Sequence, residues 1–172
     1  MLLVDGDHYS TSIIGQILRG FGAVRNHIAG NGAEAKKQLG AEKYDLMITE
    51  CVLPDMKGAE LVRWVRRNAN AQLRFLPIVA ITGYSHYSAV TAARDSGANS
   101  VVRKPLAPTV LYEHIAWSAK TDRPFIEADG YAGPCRRFKF GEPVPGYHRR
   151  ASDQYTGADE GMDDATMEGV TG

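Results

Sequence analysis

Five side chains in this 172-residue chain stand where apolar runs stop: Asp5 and Asp7 after LLV, Glu50 after YDLMIT, Thr82 closing LPIVAIT, and Lys104 just past SVV. Carboxylates, a hydroxyl and an ammonium are the groups that handle a phosphoryl group and its metal. A carboxylate attacks phosphorus or ligates a divalent cation, while hydroxyl and ammonium neutralise the oxygens that gather charge. Asp7 has a second reading, because aspartate is also a preferred helix N-cap. Glu50 and Lys104 have one too, as a plain ion pair of structural value.

These residues need elements that bring them together, and the pattern supplies them. LLV is followed by a helical stripe of Ile13, Ile14, Ile17, Leu18 and Phe21, then by the weak strand AVRNHIA and a helix opened by Asn31 with Glu34 at capping-box spacing. YDLMIT, LPIVAIT and SVV are the next three strands. The helices between and after them carry Leu61, Val62, Trp64 and Val65, span Ser85 to Ser96 up to Gly97, and start near Pro108 with Val110, Leu111, Ile115 and Trp117. Five strand–helix units whose strands are apolar on both faces predict a five-stranded parallel sheet with five helices, in an α/β fold. In such a sheet the chemistry sits at the carboxyl ends of the strands, where all five side chains fall.

Twenty lysines and arginines balance twenty aspartates and glutamates, so bulk charge gives no reason to expect a nucleic-acid or membrane partner. No apolar run reaches membrane-spanning length and no secretory pattern opens the chain, which reads as cytoplasmic. Cys51 and Cys135 have no metal-ligand spacing and read as reduced thiols. The expected division is a domain over 1–120, an extended basic and aromatic tail over 121–152, and an acidic disordered tail over 153–172. In the middle segment Arg136, Arg137, Phe138 and Phe140 interleave charge with aromatic surface. That pattern suits docking on a protein, or folding back onto its own domain, better than stacking on a nucleic acid.

Two family resemblances compete. VDGD alone resembles the first motif of the haloacid dehalogenase phosphatases, which would make the chain a small DxD phosphatase. Tyr9 departs from that pattern, and no acidic pair follows Lys104 to hold magnesium. The ordered set of segments over residues 1 to 120 instead resembles the receiver domain of two-component response regulators. Carrying the resemblance are YDLMITECVLPDMKGAELVRWVR with Pro54 and Gly58 after Glu50, PIVAITG with Thr82, and GANSVVRKPL with Lys104 and Pro105. It implies a flavodoxin-like fold, magnesium-dependent transfer of a phosphoryl group from a histidine kinase, and a cis bond before Pro105.

The departures from that family carry the functional reading. Glu50 stands at the phospho-acceptor aspartate, Gly6 replaces the second member of the acidic pair, and Val101 replaces the aromatic switch residue. Glutamate moves the nucleophile by about 1.5 Å, and a misplacement of about 1 Å can already slow a reaction on the order of a hundredfold. The longer carboxylate would instead reach toward Lys104 and mimic a phosphorylated aspartate. The expectation is a non-enzymatic, single-domain signalling protein with no catalytic residue and no required cofactor, magnesium binding weakly at Asp5 and Asp7 if at all. Its partners would be a histidine kinase or a downstream signalling protein, or a second copy through the fourth helix, fifth strand and fifth helix. A receiver still phosphorylated on Asp5, Asp7 or Asp55 is the other reading.

Overall fold

The computed structural model describes residues 1–83, 87–120, 123–136 and 154–155. Five strands, β1 (Leu2–Val4), β2 (His27–Ala29), β3 (Met47–Glu50), β4 (Ile78–Thr82) and β5 (Ser100–Arg103), form one parallel sheet in the order β2-β1-β3-β4-β5. Strand periodicity explains the two cores. Leu2 and Val4 join Met47, Ile78 and Ala80 on one face, while Leu3 joins Ile48, Val79, Ile81 and Val102 on the other. The first face is covered by α2 (Gly32–Ala41), α3 (Gly58–Arg66) and α5 (Tyr87–Asp95), and the second by α1 (His8–Gly20) and α6 (Pro108–Lys120). This is the flavodoxin-like architecture that the resemblance implies.

Local chemistry sets the helix starts. Asp7 caps α1 by accepting from the Tyr9 N–H, and Asn31 caps α2 by accepting from Glu34 N–H. The Glu34 carboxylate reaches back to Gly30 N–H at 2.8 Å, one residue before the cap. Gly58 opens α3 where the helix runs against the end of β3: a Cβ there would lie 2.2 Å from the Glu50 carbonyl oxygen. Only glycine fits that approach.

Four expectations change. A sixth helix, the single turn α4 (Ala71–Arg74), is capped by Asn70 and is too short to show a period. β2 covers only the last three residues of AVRNHIA, because the chain turns at 21–22 and stays irregular to 26, where Ala23 N–H bonds Leu18 O and the Asn26 amide donates to Ala23 O. The segment read as an extended tail folds over β6 (Phe125–Ala128) and β7 (Tyr131–Pro134) into an antiparallel hairpin turned by Asp129–Gly130. Gly130 has φ +80°, the left-handed conformation such a turn needs. Within the segment read as disordered, β8 (Gln154–Tyr155) pairs antiparallel with β6. The rest of 153–172 lies outside the described residues, as do Tyr84, Arg137, Phe138 and Phe140.

Candidate functional site

β1 and β3 are neighbours with Val4 opposite Thr49, so the next residues, Asp5 and Glu50, arrive together at the carboxyl edge. Glu50 is opposite Ile81 and Thr82 opposite Arg103, which brings Thr82 and Lys104 to the same edge. The polypeptide thus gathers Asp5, Glu50, Thr82 and Lys104 within one pocket. Three of them are buried: Asp5, Glu50 and Thr82.

Lys104 organises the site. Its Nζ lies 2.7 Å from Glu50 Oε2 and 3.1 Å from Asp5 Oδ2, and donates to Ser10 Oγ at 2.9 Å. Burial works to lower the Lys104 pKa, but hydrogen bonds and charge pairing with Glu50 and Asp5 outweigh it and raise the pKa above the ordinary lysine value. Ser10 Oγ in turn donates to Asp5 Oδ2 at 2.7 Å. The sequence reading did not single out Ser10. Its only signal is a hydroxyl in the first turn of the helix that follows Asp5.

The remaining carboxylate oxygens are also committed. Asp5 Oδ1 accepts from Asp7 N–H at 2.9 Å. Glu50 Oε1 accepts from Cys51 N–H at 2.8 Å, a donor shared with the Ile81 carbonyl. Cys51 is a buried member of the core, its thiol pushed up to about 11 by burial and by the Glu50 charge, against a hydrogen bond with Thr82 and the charge of Lys104. Lys104–Pro105 is cis, and Pro105 itself is exposed. Val101 packs half-buried against the core beneath α2, α3 and α5.

Two expected acidic residues do other work. Asp7 is the N-cap of α1 and exposed, with its Oδ1 on Tyr9 N–H. Asp55 accepts from Gly32 N–H at 2.8 Å and Ala33 N–H at 2.9 Å, holding the start of α2. The Gly32 N–H, joined by that of Ala33, keeps the Asp55 carboxyl below its usual range. Gly6 is closed off as well: a Cβ there would meet Pro54 Cγ at 2.5 Å and Cδ at 2.9 Å, with the Gly30 carbonyl at 3.2 Å. The place of a second carboxylate in the acidic pair is therefore filled by the proline of the β3–α3 loop.

Magnesium, which demands near-octahedral oxygen ligation, would have to displace donors already held by these side chains. All four oxygens of Asp5 and Glu50 receive donors, an ammonium lies between the two carboxylates, and no third carboxylate joins them. Among the described residues no group of three His, Cys, Asp or Glu side chains converges on a metal position.

Of the tail residues, Arg136 docks on the chain's own domain, with a guanidinium nitrogen 2.7 Å from Asp95 Oδ1. It makes that contact from two residues beyond the hairpin, at the far end of α5 from the pocket.

Comparison with known proteins agrees with this fold. A sequence profile of the response regulator receiver domain matches residues 1–116. The chain is similar to a chemotaxis protein CheY of Pseudomonas aeruginosa, 31% identical over 115 residues that make up 67% of this chain and 91% of the relative. Among solved structures it is similar to a putative response regulator of Chloroflexus aurantiacus, with TM-score 0.65 and 29% identity, covering 70% of this chain and 96% of the other. It is also similar to the receiver domain of a sensor histidine kinase of Pseudomonas aeruginosa, with TM-score 0.62 and 25% identity over 69% of this chain and 96% of that one. That structure has a magnesium ion coordinated in its active site cleft.

Proposed function

Because the chain belongs to the response regulator receiver family, we propose that it signals through protein contacts without phosphorylation, with Glu50 standing in permanently for a phosphorylated aspartate. The observation that carries this reading is the 2.7 Å ion pair between Glu50 Oε2 and Lys104. An acyl phosphate would recruit the lysine ammonium by charge, and Glu50 already does so. The mimic is partial, since a carboxylate carries one charge where a phosphoryl group carries nearly two.

Three further features support it. Asp5 and Glu50 have no oxygen left without a donor, and Pro54 fills the space beside Gly6. Asp7 and Asp55 hold helix starts, so neither is presented as a nucleophile. Val101 has no ring to rotate inward, which removes the usual route from pocket to surface. On this reading the protein is not an enzyme and requires no magnesium. Its partner is a kinase or a downstream signalling protein, or a second copy, that reads the face made by α5, β5 and α6.

The test is intact mass after incubation of the full chain with magnesium and a small acyl phosphate donor. The expected spectrum is unchanged. A stable gain of one phosphoryl group would contradict the proposal, and release of free phosphate at enzymatic rates would move the chain to the phosphatase class.

A further inference from the structure

At the opposite pole from the pocket, the β6–β7 hairpin is seated on the turn between α5 and β5. Gly97, in that turn, has φ +101°, and Gly133, in β7, has φ +155°. A Cβ on Gly97 would lie 2.4 Å from the Ala132 carbonyl oxygen, and one on Gly133 would lie 2.7 Å from the Gly97 Cα. Backbone therefore touches backbone, an approach that only two glycines permit.

Charged side chains fasten the hairpin on three sides. Arg136 pairs with Asp95 at the end of α5 and stacks over the Tyr131 ring at 4.2 Å. Burial would raise the Asp95 pKa, but Arg136 and Arg94 overcome it and hold it below the usual carboxylate range. Arg123 donates to the carbonyls of Asn99 and Cys135 while covering Trp117 of α6 at 4.3 Å. Arg74 of α4 pairs with Glu127, beside an edge-to-face contact of Phe75 with Phe125 at 4.7 Å. Phe125 and Tyr131 are buried by this docking.

The segment 123–136 thus touches α4 and, on one face of the domain, the terminal residue of α5, the turn into β5 and the last turns of α6. We propose that residues 123–136 are an intramolecular strap whose docking fixes the α5 end of that face, so that undocking the strap is a motion that would release it. The chain continues from Arg136 into the stretch with Arg137, Phe138, Lys139 and Phe140. A protein gripping that stretch would pull directly on the Arg136–Asp95 contact. This inference rests on the docking contacts and stands whether or not Glu50 mimics a phosphoryl group.

Hydrogen exchange on the full-length chain, read segment by segment, tests it. Gly133→Ala forces a Cβ into the Gly97 backbone, and exchange over 123–136 should rise by roughly tenfold or more. Exchange over α5 and the turn at Gly97 should rise with it, while β1 and β3 keep wild-type protection. Arg136→Gln, which adds no atom to the contact, should give the same pattern several times weaker. Two results overturn the proposal: hairpin exchange that rises while α5 stays at wild-type protection, or exchange that rises equally in every segment. The first would make the hairpin a passive appendage, and the second a mere part of one cooperative core.

Discussion

The two poles of the sheet each hold a cation, and hold it in opposite ways. At the carboxyl edge Lys104 lies between the carboxylates of Asp5 and Glu50, charge against charge. At the other pole Arg66, 1% exposed, pairs with no carboxylate among the described residues: it donates to the carbonyls of Gly97, Arg74 and Leu76 and to Asn99 Oδ1. Burial pushes its guanidinium down to about 9. An ammonium is a compact point charge that can attend any nearby anion, whereas the guanidinium fork satisfies acceptors at fixed angles. The first arrangement is one a binding event could remodel. The second is a structural rivet, joining α3 to α4, the connection between α4 and β4, and the α5–β5 turn, and its removal leaves buried acceptors with nothing in exchange.

Removing each cation is the sharpest way to break the comparison. Arg66→Met should be the most damaging change, destabilising the chain by about 3–5 kcal/mol, since several buried acceptors lose their donor at about 1–3 kcal/mol each. The denaturant midpoint measures it. Lys104→Met should destabilise by about 2 kcal/mol at neutral pH, because Asp5 and Glu50 would face each other with no cation between them.

The Lys104 contribution also has a pH signature. Its folded pKa is raised, so its stabilisation is fully present below the unfolded lysine value of about 10.4 and is lost as pH rises through the higher folded value. The gap between wild type and Lys104→Met should therefore hold across neutral pH and narrow in alkali.

Gly6→Asp comes next, at about 1–2 kcal/mol, from overpacking against Pro54. Combined with Glu50→Asp it should still fail to bind magnesium by titration calorimetry while Pro54 stays in place. Tight binding by that double variant would show that the loop yields more readily than the contact suggests. Asp95→Asn should be the mildest, about 0.5 kcal/mol, since its pair with Arg136 is partly exposed. The Asp95 pKa is depressed, so this contribution is present above the unfolded value of about 3.9 and disappears as pH falls through the lower folded value. Thermal melts of the two proteins should converge in acid.

How legible these poles are in the sequence differs for physical reasons. The carboxyl-edge residues could be found because parallel strands deliver their ends to one side, and the apolar runs announce where each ends. What the runs could not announce is the traffic between loops: that Ser10 turns back to Asp5 and Lys104, or that Pro54 lies on Gly6. Those contacts depend on how a loop lands. The other pole left two readable signals unused. Arg66 sits in phase with Gly58, Leu61, Val62 and Val65 on the buried stripe of α3, where an arginine must find partners inside. Asp129–Gly130 between FIEA and YAGP is a two-residue hairpin turn. The glycine and proline content around it hid a short strand pair that is ordered by docking rather than by its own length.

The central claim is that Glu50 and Lys104 already hold the state a phosphoryl group would create. Recording backbone amide spectra of the chain while adding magnesium and then beryllofluoride, which mimics an acyl phosphate on an acceptor carboxylate, tests it most directly. The account predicts that resonances near Asp5, Glu50, Thr82 and Lys104 stay where they are at every concentration. Saturable shifts at those residues, spreading to β5 and α6, would contradict it and make this chain a receiver that still switches by phosphorylation.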